Sequence, residues 1–201
     1  MKVIYTSNIG EEVTWDGSEM KFTAGMACCS DGSPTSYGPN NKGDDYTANA
    51  GHPGNWWGVV TDSKGNPIIQ SGRKPEQPHK GYYVSCTAYF REDYPNFDVR
   101  KWLDARNILY VVVPSDIRSK VGPVVLGCRA TVERDGKIIE CVTGELGPKG
   151  ELGEASQAVC RAFELRDNPR NGGSSSPKFT YRIYPGVAAN VNGEQFRLIP
   201  A

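Results

Sequence analysis

The sequence predicts a mostly β chain with one or two short helices. Three observations carry this. Gly 23 and Pro 14 in 201 residues are more than long helices tolerate. Short runs of β-branched and aromatic residues recur between turn signals. Helical periodicity is confined to two short segments.

In chain order, the runs that read as strands are residues 3–6, 12–15, 20–23, 57–61, 82–89, 109–113, 124–126, 129–133 and 137–142. Arg134-Asp135-Gly136 is a tight-turn signal, so residues 129–142 are expected to form a hairpin. Residues 99–106 carry a short helical pattern. Residues 154–165 carry a better one, with Ala155, Ala158, Val159, Ala162 and Phe163 on one face. That places Glu154 at a helix N-terminus, where the dipole would favour its ionised form. Residues 167–177, with Asn171-Gly172-Gly173-Ser174-Ser175-Ser176, have loop composition, and residues 179–184 resume as a strand before Pro185-Gly186.

A chain of this length suits one domain with a full apolar core, and no repeat or composition shift marks a boundary. Lys plus Arg at 23 balance Asp plus Glu at 23, so no global charge draws the chain to nucleic acid or to an anionic membrane. No apolar stretch approaches a membrane span, and the start turns polar too early for a signal-peptide core, so an unprocessed soluble monomer is expected. Cys28, Cys29, Cys86, Cys128, Cys141 and Cys160 could form three bridges in fifteen ways, but without an export signal buried thiols are the stronger expectation. No metal is expected: there is no C-x-x-C or H-E-x-x-H, and His52 and His79 sit beside Pro or Gly-rich turns.

Two stretches could carry chemistry. Residues 143–156 leave a strand, cross a Gly/Pro-rich turn and carry Glu145 and Glu154 beside glycines that leave room for a bulky ligand. Glycosidic hydrolysis needs one protonated and one ionised carboxyl flanking the bond, and these two could supply them; equally, both could be solvated turn acids. Residues 26–58 combine aromatics, Asp and Asn on a Gly-rich loop suited to sugar rings and their hydroxyl or amine groups. Asp31, Asp44, Asp45, Tyr46, Asn55 and Trp56 are the candidate contacts, and Trp57 reads as a core residue opening a strand.

These residues resemble the chitosanases of glycoside hydrolase family seventy-five. The likeness is carried by Gly144-Glu145-Leu146-Gly147-Pro148 and Leu152-Gly153-Glu154-Ala155-Ser156, with Asp31-Gly32-Ser33-Pro34 and Gly54-Asn55-Trp56-Trp57-Gly58 upstream, and spans about residues 20–186. It implies a compact β-barrel, the double-psi type being one form. It also implies endo-hydrolysis with inversion by Glu145 and Glu154. Glu145 is one methylene longer than the family's usual Asp, and Cys28-Cys29 replaces a more acidic run.

The expectation is therefore an endo-acting glycosidase on a β-1,4-linked amino-sugar polymer, chitosan first, needing no cofactor. Its partner is the polysaccharide, met outside the cytoplasm after secretion or delivery. The rivals are a peptidoglycan-directed glycosidase or lytic transglycosylase, and a carbohydrate-binding or phage-structural module without chemistry.

Overall fold

The computed structural model describes residues 1–117, 120 and 125–199. Strands β1 (Lys2–Thr6) and β2 (Glu12–Trp15) pair antiparallel and lead into β3 (Met20–Cys29). A long irregular segment follows, holding the two-residue strands β4 (Gly51–His52) and β5 (Asn55–Trp56). Then come β6 (Tyr110–Pro114), β7 (Cys128–Arg134), β8 (Lys137–Gly147), β9 (Glu154–Ser156) and the helix α1 (Gln157–Ala162). β10 (Ser174–Ala188) and the small pair β11 (Asn190–Val191) and β12 (Glu194–Gln195) end the chain.

Six strands close a barrel in the order β3-β10-β7-β8-β6-β9, with β9 returning to pair with β3. The β3–β9 and β6–β8 pairs are parallel and the other four antiparallel. Alternation explains the interior. In β3, Met20, Phe22, Ala24, Met26 and Cys28 point inward, meeting Phe179, Tyr181 and Ile183 of β10, Ala130 and Val132 of β7, and Val111 and Val113 of β6. Each large apolar side chain here contributes roughly 1.5–3 kcal/mol by leaving water. A second core lies on the outer face of β6 and β8, where Tyr110, Val112 and Val142 are covered by Tyr89, Leu103, Ala105 and Phe196.

The mostly β prediction holds, and the hairpin turns where expected, Arg134 pairing Lys137 around Asp135 and Gly136 at positive φ. Several boundaries differ. β3 runs to Cys29, β8 to Gly147 and β10 from Ser174 to Ala188, because strand length follows the partners available in the barrel. Residues 57–61 and 82–89 are not strands; they make only single bridges, Val59 with Ser85, Thr61 with Pro67 and Ile69 with Tyr83. Residues 99–106 shrink to a 3-10 turn, Val99–Lys101, capped by the Asp98 carboxylate accepting from Arg100 N at 2.9 Å. Of residues 124–126, Val124 lies outside the described residues, and Leu126 makes a single bridge to Ile199.

The correction that bears on function concerns α1. It starts at Gln157, with Ser156 as its N-cap, so Glu154 sits on strand β9 and not in the first turn of the helix. Ser156 wins the cap because its hydroxyl accepts from Val159 N (3.4 Å) while donating to Ile108 O (2.8 Å). All six cysteines are free thiols, five of them buried, and the Cys28 and Cys160 side chains are hydrogen-bonded partners. Among the described residues no helix is long and apolar enough to cross a membrane.

Candidate active site

Glu145 and Glu154 come from different strands and meet across a third. Val112 of β6 pairs with Glu154 of β9 on one side and with Glu145 of β8 on the other, and Ala27 of β3 pairs with Glu154 in turn. Ala27, Glu154, Val112 and Glu145 thus form one cross-strand row. Strands lie about 4.8 Å apart, which puts the two glutamate backbones two spacings, about 9.6 Å, from each other on the face that Val112 occupies.

Simple alternation along β8 would not put Glu145 there. Val142 faces the outer core and Cys141 the barrel interior, so an unbroken strand would turn residue 145 inward with Cys141. The β6–β8 register shifts between Val111, opposite Thr143, and Val112, opposite Glu145. This bulge at Gly144 re-aims Glu145 to the outer face. A side chain at 144 would lie 2.6 Å from Leu103 and 2.9 Å from Tyr110. Gly144 therefore permits both the bulge and the covering segment.

Both oxygens of Glu145 are held by backbone amides, Ala88 N donating to Oε2 at 2.9 Å and Leu146 N to Oε1 at 2.7 Å. Asp31 joins the cluster from the end of β3. Its Oδ1 accepts from the Tyr37 hydroxyl at 2.6 Å, and its backbone carbonyl accepts from the Tyr110 hydroxyl at 2.9 Å. Tyr110 also donates to Cys29 Sγ at 3.3 Å, and the Cys29 thiol is a hydrogen-bonding neighbour of both Asp31 and Glu154.

Three half-buried carboxyls gathered together each keep a proton to a higher pH than a free carboxyl does. Burial pushes Glu154 up to about 7, helped by the charge of Asp31 and opposed by Cys29. Burial pushes Asp31 up to about 6, against the Tyr37 hydrogen bond and with the charge of Asp45. Glu145 is raised well above the usual carboxylate range by burial and then by Asp31, against its two amides. The sign of the pH dependence follows. From the ordinary values of 3.8 and 4.5 up to about 6 and about 7, the folded chain keeps protons that the unfolded chain has lost. Their stabilisation is complete below pH 4 and is lost as pH rises through these values. We expect Glu154→Gln to be more thermostable than the intact chain at pH 8 and to lose that advantage toward pH 4.5. A difference in Tm that stays constant across this window, measured by differential scanning calorimetry, would show that Glu154 titrates normally.

The other candidates are placed around the cluster. Asp44 Oδ2 accepts from Thr35 Oγ1 and Arg106, both at 2.7 Å. The buried Asp45 carboxylate accepts from Asn49 Nδ2 at 3.0 Å and Tyr46 N at 2.7 Å, so both acids are committed to holding their loop. Tyr46 is exposed with the Arg170 guanidinium over its ring. Asn55 is exposed at the β4–β5 hairpin, and Trp56 packs half-buried, edge to face with Tyr83. The expectation for Trp57 is overturned. It is 58 % exposed, its indole N–H donating to Asn49 O at 3.0 Å, because the tight β4–β5 hairpin turns Trp56 toward the Tyr37–Val59 cluster and leaves its neighbour outside. Trp57 adjoins the site, since its carbonyl accepts from the Cys86 thiol at 3.4 Å and Cys86 feels the charges of Glu145 and Asp31.

Cys29, Tyr37, Tyr110 and the Ala88 amide were missed by sequence reasoning. Tyr110 read as an ordinary strand position and Cys29 as a buried thiol, and a backbone amide carries no sequence signal. Among the described residues no group of three or more His, Cys, Asp or Glu is arranged to hold a metal ion. Compared with known proteins, the chain matches no family model and no curated protein.

Proposed function

We propose that this chain is an endo-acting glycoside hydrolase that cleaves β-1,4 bonds of an amino-sugar polymer, chitosan first. The observation that carries the reading is the row in which Glu154 and Glu145 flank Val112 on one face, with Asp31 beside them. Glu154 is the acid. Its proton, held to about pH 7, passes to the glycosidic oxygen as the bond to the anomeric carbon breaks. Glu145 is the base; its two amide donors fix the carboxyl and oppose the burial that raises its proton affinity. It takes a proton from the water whose oxygen bonds to the opposite side of the anomeric carbon. Exchange with solvent then returns both carboxyls to their starting states.

Inversion follows from the resemblance to family seventy-five chitosanases; it requires carboxyls about 6.5–9.5 Å apart, against about 5–5.5 Å for retention, and backbones two strand spacings apart leave either distance within side-chain reach. Asp31 gives the reading its amino-sugar preference. After burial, its charge is what most raises Glu145, so a substrate ammonium set against Asp31 would cancel that charge and ease loss of the Glu145 proton. The resemblance of residues 144–156 to family seventy-five chitosanases supports the same assignment.

Reducing-end release from chitosan and from peptidoglycan tests this. Cleavage of chitosan supports the reading, cleavage of peptidoglycan alone replaces it with a cell-wall enzyme, and a folded chain inert on both leaves a binding module. The exposed Trp57 ring offers a platform for a sugar face. Trp57→Ala is expected to raise KM for chitosan about fivefold to tenfold with kcat held within twofold; an unchanged KM would remove Trp57 from the substrate path.

A further inference from the structure

The cross-strand row does not stop at Glu154. Its next member is Ala27, which is exposed, and beyond it opens a cleft of about 640 Å³ on the far side from Glu145. The floor is bare backbone. A side-chain carbon at Gly25 would sit 3.0 Å from Ser174 O, and one at Gly153 would sit 2.5 Å from Gly25 O, so the strands touch without side chains between them. Ile9 and Leu152 give the walls apolar patches, and Glu11 and Lys178 give them polar ones. That mixture matches a sugar ring, which presents carbon faces and polar edges.

Glu11 points to the occupant. Its side chain is only 8 % exposed, and its Oε1 accepts from Lys178 Nζ at 2.7 Å. Its Oε2 is buried with no hydrogen-bond partner among the described residues. The turn that carries it is fixed, Ser7 N donating to Glu11 O at 2.8 Å and Glu11 N to Ser7 Oγ at 3.0 Å. A buried carboxylate oxygen without a donor is costly, and a ligand donor in the cleft would remove that cost.

We infer that this glycine-floored cleft is a hexosamine subsite, in which Glu11 accepts a hydrogen bond from the sugar's amino group. A polymer crossing the row from Glu145 past Glu154 and Ala27 runs directly into it. The inference rests on the glycosidase reading for its ligand but not for its geometry.

The test uses the intact chain, Glu11→Gln and Ser175→Trp, the last narrowing the cleft from an exposed position that lines it. Rates are measured on glucosamine oligosaccharides of increasing length and on their N-acetylated counterparts. We expect both variants to raise KM for long glucosamine oligosaccharides by about tenfold, as loss of one charge-assisted contact would. kcat should stay within twofold and the shortest cleaved oligosaccharide should be unaffected. Acetylated chains should respond less to Glu11→Gln, because an amide N–H is a weaker partner than an ammonium. Unchanged KM in both variants overturns the inference. If Glu11→Gln does not fold, Ser175→Trp alone decides. If the intact chain cleaves nothing, the glycosidase reading fails, and calorimetric titration with a long glucosamine oligosaccharide decides the subsite. Binding weakened about tenfold by both variants upholds it; binding that is absent, or equal in all three proteins, overturns it.

Discussion

Glu154→Gln should lower chitosan hydrolysis by about a thousandfold, within the range of roughly 10²–10⁴ that a positioned proton donor contributes. Gln keeps the volume and the strand position and removes only the proton. The neighbours that would object to an altered charge are Asp31, Glu151 and Asp45, all acidic, so a neutral amide is accommodated and the variant should fold. Glu145→Gln should cost as much, for a different reason. The amides of Ala88 and Leu146 would then face a side chain with one acceptor and one donor end, and no group would take the proton from water. Glu145→Asp is the informative intermediate: one methylene shorter, it cannot span both amides in the bulged strand and should retain partial activity. Steady-state rates on chitosan check all three. A Glu145→Gln enzyme within a few-fold of the intact one would break the paired-carboxylate mechanism and favour a lytic reaction, which needs no separate base.

The second large effect is structural and falls on the residue before Glu154. Gly153 has φ +83, and a side-chain carbon there would lie 2.5 Å from Gly25 O and 2.7 Å from Ala24 Cβ. Gly153→Ala therefore combines left-handed strain of roughly 1–2 kcal/mol with overpacking of roughly 1–3 kcal/mol. Destabilisation of about 2–5 kcal/mol is expected, lowering Tm by roughly 4–20 °C. Gly10→Ala is the control, since φ +85 there opens on no atom within 4 Å and only the strain remains. Because β9 is three residues long and lies between β3 and β6, pushing it off β3 also shifts Glu154 along the row. Activity in Gly153→Ala should fall further than in Gly10→Ala at a temperature where both remain folded. Equal Tm in the two variants would mean that the β3–β9 contact yields easily.

The strands that were legible in the sequence are those whose own alternation or turn chemistry suffices. β1, β2, β6 and the β7–β8 hairpin follow from β-branched residues and from Asp135-Gly136, which take positive φ readily. Illegible were features decided by a distant partner. Residues 154–165 carry a helical period, yet residues 154–156 join β3 and β6, because a strand position there closes the barrel and three residues of helix cannot outweigh that pairing. Trp57 looked like core and is exposed because hairpin geometry, rather than hydrophobicity, chose between it and Trp56.

The sequence by itself determined that the chain is mostly β, that residues 143–156 bear Glu145 and Glu154 in a glycine-rich setting, and that Asp31 belongs to a polar, aromatic loop. Only the tertiary structure decided that the three carboxyls meet. Their convergence needs the bulge at Gly144, which turns Glu145 to the outer face, and the closure of β9 onto β6 and β3, which sets Glu154 two strands away. It also needs a covering segment to half-bury them and raise their proton affinities. Local pattern fixes which face a side chain takes within its own strand; which strands lie side by side is fixed by a barrel that must pair every edge and fill one interior.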